Sequence, residues 1–190
     1  MFCFFFFFFY SICSFSLLLY PGLFFKKSFL STLLLLVEIS MHIEKLVKLE
    51  TISLSSNLLP TFHLPNGGKM KNLKRVDLSS NKLKNFPVDL CTLPNVDAVD
   101  LSKNLITHLP KDVSSLKAIE LNLNRNHLKY LNDALCECGR LKVLRVEENC
   151  LSLDSFTERL LKHSNISLIA FDGNTFNMKQ FQDVDGYDEV

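Results

Sequence analysis

The chain has 190 residues, a formal net charge of +1, and 17 phenylalanines but no tryptophan. Eleven of the phenylalanines lie in the first 30 residues, and residues 1–40 carry only three formal charges, which leaves 19 basic and 19 acidic residues in 41–190. This balance argues against a nucleic-acid-binding protein and against a surface for acidic substrates.

Residues 1–40 form a hydrophobic, low-complexity leader with three open interpretations. Residues 2–25 carry no charge and exceed the roughly 20 apolar residues that cross a bilayer as a helix. In that case Lys26 and Lys27 would keep the rest of the chain in the cytoplasm. A second interpretation is a cleaved secretion signal, although the leader has neither a basic start nor an alanine for the cleavage site. The third is a spurious run that belongs to no fold.

Six copies of the template L-x-x-L-x-L-x-x-N-x-L follow the leader, and we assign residues 41–176 to them. The second and third copies read LKRVDLSSNKL from Leu73 and VDAVDLSKNLI from Val96. Successive asparagines are 24, 23, 22, 23 and 25 residues apart, a period and motif typical of leucine-rich repeats. The asparagines are Asn57, Asn81, Asn104, Asn126, Asn149 and Asn174.

Each copy predicts a short strand followed by a turn. The central residues alternate between apolar and polar, as in Val76-Asp77-Leu78, which is the pattern of a strand with one buried and one wet face. The asparagine follows where the chain turns out of the strand, and its amide can both donate to and accept from backbone groups. Stacked copies therefore predict an asparagine ladder that satisfies buried backbone groups of neighbouring repeats.

The second half of each copy predicts the back of a solenoid. In the second and third copies a proline and spaced apolar residues follow the asparagine, so short helical or irregular backs are expected. The longer segment after Asn149 predicts a true helix with Asp154 or Ser155 as its N-cap. The fold class is therefore α/β: a leucine-rich repeat solenoid with short parallel strands on the concave face. The expected core residues of the second and third backs are Phe86, Leu90, Leu93, Leu109, Val113 and Leu116.

The tripeptides NFP and HLP after the asparagine turn, together with LKRVDLSSNKL, IELNLNRN and RLKVLRVEENCL, make residues 73–187 resemble leucine-rich repeat proteins of the Ras-group type. The resemblance implies an intracellular, non-enzymatic repeat protein, and the wider group includes scaffolds and regulators of phosphatases. The subfamily begins Met-Gly with a myristoylation signal, whereas this chain has Phe2, so a lipid anchor is not expected. The subfamily also continues beyond the sequence GYD with a basic helical tail, so residues 177–190 are expected to be a remnant of the C-terminal cap.

We predict no catalytic, cofactor-binding or metal site. The histidines are scattered, and the Cys136 and Cys138 pair lacks the two further ligands that zinc needs. Cys91, Cys136 and Cys150 are predicted at core-facing or near-core positions, where a free cysteine behaves as a small hydrophobe. Free cysteines and the family resemblance favour the cytoplasm.

The predicted function is that of a monomeric adaptor or scaffold that binds another protein through its concave face. Two alternatives stay open: a membrane-anchored receptor or adhesion module with cytoplasmic repeats, and a regulatory subunit of a phosphatase or small GTPase pathway. The concave face of a solenoid is its usual binding surface. An outward charged residue can also be merely solvated, so each position is a hypothesis. The predicted protein-binding residues are Arg75, Asp77, Asp100, Asn122, Arg125 and Arg145.

Overall fold

The computed structural model describes residues 48–64 and 66–182. The three interpretations of the leader, and the part of the cap remnant after residue 182, lie outside the described residues. Within these ranges, six three-residue strands form one parallel sheet, and each strand pairs with the next one along the chain. They are Thr51–Ser53 (β1), Arg75–Asp77 (β2), Ala98–Asp100 (β3), Glu120–Asn122 (β4), Val143–Arg145 (β5) and Leu168–Ala170 (β6).

Every strand lies in the template position that the alternating pattern predicted. The central residue of β1 to β5 is buried, as Val76 is in β2, while its two neighbours face outward. The strands pair in register, so equivalent residues of successive copies lie side by side. The predicted solenoid with parallel strands is therefore confirmed.

Short 3-10 helices form most of the backs. Pro87 and Pro110 precede two of them with φ of −72° and −74°, the values that the proline ring imposes. The six predicted core residues of these two backs are all buried, which confirms that prediction. The 3-10 helices are Gly67–Lys69, Val88–Thr92, Lys111–Ser115, Asp133–Glu137 and Leu153–Ser155.

The back of the fifth copy contains the predicted true helix, Glu158–His163 (α1). The prediction of Asp154 or Ser155 as its N-cap is wrong, because a 3-10 turn occupies Leu153–Ser155. Thr157 caps the helix instead, and its hydroxyl accepts the N–H of Leu160 at 3.2 Å.

Four phenylalanines close the C-terminal end of the core. The ring of Phe156 lies edge-on to the other three at centroid distances of 5.0 to 5.6 Å, a favourable arrangement for aromatic pairs. One of them, Phe181, belongs to the last described helix, Met178–Gln182 (α2), and is buried. This phenylalanine cluster consists of Phe156, Phe171, Phe176 and Phe181.

The cysteine predictions are correct in part. Cys91 and Cys136 are half-buried, but Cys150 is exposed, so its predicted near-core position is wrong. Of the four cysteines that the structure describes, Cys138 is the buried one, and its thiol donates to the carbonyl of Val113 at 3.0 Å. Burial raises the pKa of Cys138 to about 11 and that of Cys91 to about 12, so both thiols stay protonated at neutral pH.

Among the described residues, no helix has the length and apolar character that crossing a membrane requires.

Candidate protein-binding face

The six template asparagines lie at the turn that follows each strand, and those from Asn81 onward link neighbouring repeats. The side-chain oxygen of Asn104 accepts the N–H of Leu83 at 3.1 Å. Its side-chain nitrogen donates to the carbonyls of Leu78 and Leu101, each at 3.0 Å. The asparagines from Asn81 to Asn174 all reach the preceding repeat in this way. These bonds hold the loops beside the strands in a fixed stack, so outward side chains are displayed at regular intervals.

Four of the six predicted binding residues form one row across β2 to β5, because the strands pair in register. Hydrogen bonds to neighbouring strands and to backbone hold its polar groups in place. The Asn122 amide donates to Asp100 at 3.1 Å, and the Asp100 carboxylate also accepts the N–H of Ser102 at 2.8 Å. The row is thus a pre-organised polar strip. We call it the central row, and it consists of Asp77, Asp100, Asn122 and Arg145.

Two of the predicted arginines are already ion-paired within the chain. Arg145 donates to Glu120 at 2.8 Å, and Arg125 donates twice to one oxygen of Glu148 at 2.8 and 2.9 Å. These hydrogen bonds raise the pKa of both arginines, so both remain charged. A partner that offers a carboxylate would have to displace a glutamate that the guanidinium already holds, and that exposed pair is weak.

Two cations on the same face have no hydrogen bond or ion pair with any described residue. Arg75 lies on β2 beside the central row, and Lys103 lies in the turn after β3. Both side chains are exposed. Arg75 is one of the predicted binding residues, whereas Lys103 is not among them. These two charges are therefore the ones that a partner can engage without breaking an existing pair.

The residue before each template asparagine adopts a left-handed backbone conformation. The φ angles of Ser80, Lys103, Arg125 and Glu148 lie between 52° and 57°, and only the last copy supplies a glycine, Gly173, with φ of 75°. A residue with a Cβ atom pays roughly 1–2 kcal/mol for this conformation. The turn geometry therefore directs three long charged side chains out of the concave face at a cost in stability.

Replacing Ser80 with glycine is expected to raise the free energy of unfolding by about 0.5–1 kcal/mol, because glycine accepts positive φ without strain. The matched control is Ser79→Gly, one residue earlier and outside this conformation, which is expected to lower stability slightly. Urea unfolding followed by circular dichroism compares the two variants. Equal effects of the two glycines would contradict the strain argument.

The glutamates that hold the arginines were not among the predicted binding residues. Glu148 occupies the same template position as Arg125 one repeat later. An alignment of the copies therefore places the two side chains side by side and could have predicted this ion pair. Glu120 lies diagonally to Arg145 across β4 and β5, and only the strand register reveals the contact. Among the described residues there is no group of histidine, cysteine, aspartate or glutamate that could hold a metal ion.

Comparisons with known proteins agree with this geometry. A family model described as leucine rich repeat matches residues 71–128. Toll in its complex with Spätzle from Drosophila is 24% identical with a TM-score of 0.60, over 67% of this chain and 19% of that one. A plant ice-binding protein is 25% identical with a TM-score of 0.56, over 76% of this chain and 48% of that one. A leucine-rich repeat protein of Leptospira interrogans is 22% identical with a TM-score of 0.47, over 76% of this chain and 48% of that one.

The chain spans about half of two of these structures and about a fifth of the third. The likeness therefore concerns the repeat architecture, which is that of a leucine-rich repeat solenoid. Such solenoids are generally binding modules without catalytic machinery, and their curved strand face is the surface that partners contact.

Proposed function

We propose that this chain binds another protein through its concave face, with Arg75 and Lys103 as the principal charged contacts and the central row between them. One observation carries the proposal. The carboxylates and amide of the central row are fixed by bonds to backbone and neighbouring strands, while the two flanking cations are free of partners among the described residues. A pre-organised strip loses little conformational entropy on binding, and the free cations supply charge complementarity.

The acceptor on the partner is expected to be acidic at two points. Arg75 and Lys103 lie on adjacent repeats, on opposite sides of the Asp77 and Asp100 pair. A partner segment that carries carboxylates opposite the cations and hydrogen-bond donors opposite the aspartates fits this alternation. A uniformly acidic segment would be repelled by the two aspartates, so the row also provides specificity.

Charge reversal tests the proposal. The double variant Arg75→Glu/Lys103→Glu is expected to weaken partner binding by at least about tenfold, because two attractive contacts become repulsive. The melting temperature should stay within about 2 °C, since neither side chain has a partner to lose in the described part of the chain. The partner is first identified by proximity labelling in cells, and the purified proteins are then titrated by calorimetry.

The matched control is Lys82→Glu/Lys129→Glu, which changes the net charge equally at exposed positions away from the strands. This control should bind the partner as the unmodified chain does. Equal loss in both variants would show that only net charge matters, and unchanged binding in the first variant would overturn the proposal.

The finer assignment rests on the family resemblance. We propose an intracellular adaptor or scaffold of the Ras-group type, similar to leucine-rich repeat-containing protein 57, which acts as a monomer in the cytoplasm and uses no cofactor. The alternatives are a membrane-anchored receptor or adhesion module, through residues 2–25, and a regulatory subunit of a phosphatase or small GTPase pathway. Mass spectrometry of the N-terminus of the cellular protein tests the membrane-anchored alternative. The identity of the captured partner then separates an adaptor or scaffold from a regulatory subunit.

A further inference from the structure

The loops that follow the first four template asparagines lie along one edge of the solenoid. These loops contain no acidic residue, while they contain three lysines and three histidines. The lysines are Lys82, Lys84 and Lys129, and none has a hydrogen bond or ion pair from its side chain to a described residue. We call this surface the post-asparagine edge, and it consists of residues 58–64, 82–87, 105–110 and 127–132.

Backbone hydrogen bonds stack these loops rigidly. The residue after each asparagine donates its N–H to a carbonyl of the preceding loop: Lys82 to Leu59 at 3.0 Å, Leu105 to Leu83 at 2.9 Å, and His127 to Ile106 at 2.9 Å. The side chains of these residues therefore form a row with roughly the 4.8 Å spacing of neighbouring strands. All of them are exposed. The edge is a regularly spaced array rather than a set of independent loops.

Large apolar side chains are interspersed with the lysines. Leu58 is 45% exposed, Leu105 is 37% exposed and Tyr130 is 52% exposed. Leu58, Lys82, Leu105 and His127 alternate along the row. Exposed leucine and tyrosine beside lysine is the combination found where a protein lies on a membrane, because the apolar groups reach the acyl boundary while the cations meet anionic headgroups.

Acidic side chains lie mostly on other surfaces. Asp112 and Asp133 belong to the first turns of the backs, and the acidic residues beside the strands belong to the concave face. Asp89 reaches this edge, but its carboxylate accepts the N–H of Leu64 at 2.7 Å and lies 3.6 Å from His63. The residues of the edge itself therefore include lysines and no carboxylate.

We propose that the post-asparagine edge binds membranes rich in anionic phospholipid. Lys82, Lys84 and Lys129 contact the headgroups, and Leu58, Leu105 and Tyr130 enter the boundary between headgroups and acyl chains. The concave face stays open to a protein partner in this orientation, since the two surfaces share no residue. This inference is independent of the proposed protein-binding function and of the leader.

The test is co-sedimentation of the full chain with vesicles of phosphatidylcholine alone or with about a third phosphatidylserine. The serine lipid is expected to raise binding more than about tenfold, because each lysine near such a surface contributes roughly fivefold. The variant Lys82→Glu/Lys129→Glu should lose this gain. Leu58→Ser/Leu105→Ser should weaken binding to the serine-lipid vesicles severalfold while its salt dependence remains.

The matched control is Arg75→Glu/Lys103→Glu, which makes the same change in net charge on the concave face and should bind vesicles within about twofold of the unmodified chain. Binding that does not respond to the serine lipid, or that falls equally in the two charge-reversed variants, would overturn the proposal. Full binding by the leucine variant would do so as well, because it would identify the edge as a purely electrostatic surface for an acidic protein.

Discussion

Replacing Asn104 with alanine is expected to lower the free energy of unfolding by about 2–3 kcal/mol. The variant leaves the buried N–H of Leu83 without an acceptor, because among the described residues only the Asn104 side chain accepts it. The carbonyls that Asn104 also served keep a second donor: Asn81 bonds Leu78, and Asn126 bonds Leu101. The penalty therefore comes mainly from one orphaned donor, and urea unfolding followed by circular dichroism measures it.

Asn95→Ala is the control for this experiment. Asn95 lies near the surface and donates to the carbonyl of Lys71 at 2.8 Å, which water can solvate when the side chain is removed. A loss of no more than about 1 kcal/mol is expected. If the two alanine variants were equally destabilised, the ladder would not be the specific stabilising element that its geometry indicates.

Phe156→Ala is expected to be the most destabilising of the substitutions considered, at about 3–5 kcal/mol. Phe156 is 2% exposed and touches each other ring of the phenylalanine cluster, so its removal leaves a cavity at the C-terminal end of the core. Because each repeat of a solenoid contacts only its neighbours, the last repeat and α2 should unfold first. Hydrogen exchange would show faster exchange in β6 than in β3.

Leu168→Ala provides the contrast within the same repeat. Leu168 is 44% exposed on β6, so its truncation should change stability by no more than about 0.5 kcal/mol. Uniform acceleration of exchange from β1 to β6 in Phe156→Ala would contradict a local role for the cluster and would indicate that the array unfolds as one unit.

The fold followed from the sequence because two signals coincide in every copy. Alternation around Val76 or Val99 sets which side chains are buried, and the asparagine five residues later fixes where the strand ends. A one-residue shift of a strand would turn its buried side chains to the outer face. Six copies in register therefore leave little freedom in how the strands pair. The strands of the structure occupy the predicted positions for that reason.

Local details were less predictable because tertiary contacts determine them. A helix N-cap at Asp154 or Ser155 satisfies the local pattern, but a 3-10 turn there precedes Phe156, which joins the phenylalanine cluster, and the helix begins after Thr157. Cys150 occupies the template position of Lys82, which is exposed in the second copy. Leu58 and Leu105 at the same template position are exposed as well.

The outward residues of the binding face were predictable from the sequence, but the ion pairs and hydrogen bonds between them were not. The outward positions follow from strand alternation, so the residues of the central row were identifiable from the sequence. Which cations are already paired depends on side-chain reach between repeats, as Arg145 and Glu120 show. Arg125 and Arg145 are therefore already paired, whereas Arg75 and Lys103 have no partner among the described residues.

Stability and binding depend on separate sets of residues in this account. The asparagines and the phenylalanine cluster hold the array together, whereas Arg75 and Lys103 on the concave face have no hydrogen bond or ion pair with a described residue. Substitutions of the first kind should alter unfolding, and those of the second kind should alter only association.

Site-specific photocrosslinking tests the central claim most directly. A photoreactive phenylalanine analogue is placed singly at Arg75 or Lys103 on the concave face and at Lys111 on the convex back, and the products are identified by mass spectrometry. The account predicts that both concave positions capture the same protein and that the convex position does not. Capture of that protein from Lys111, with none from the concave positions, would contradict the assignment of the binding face.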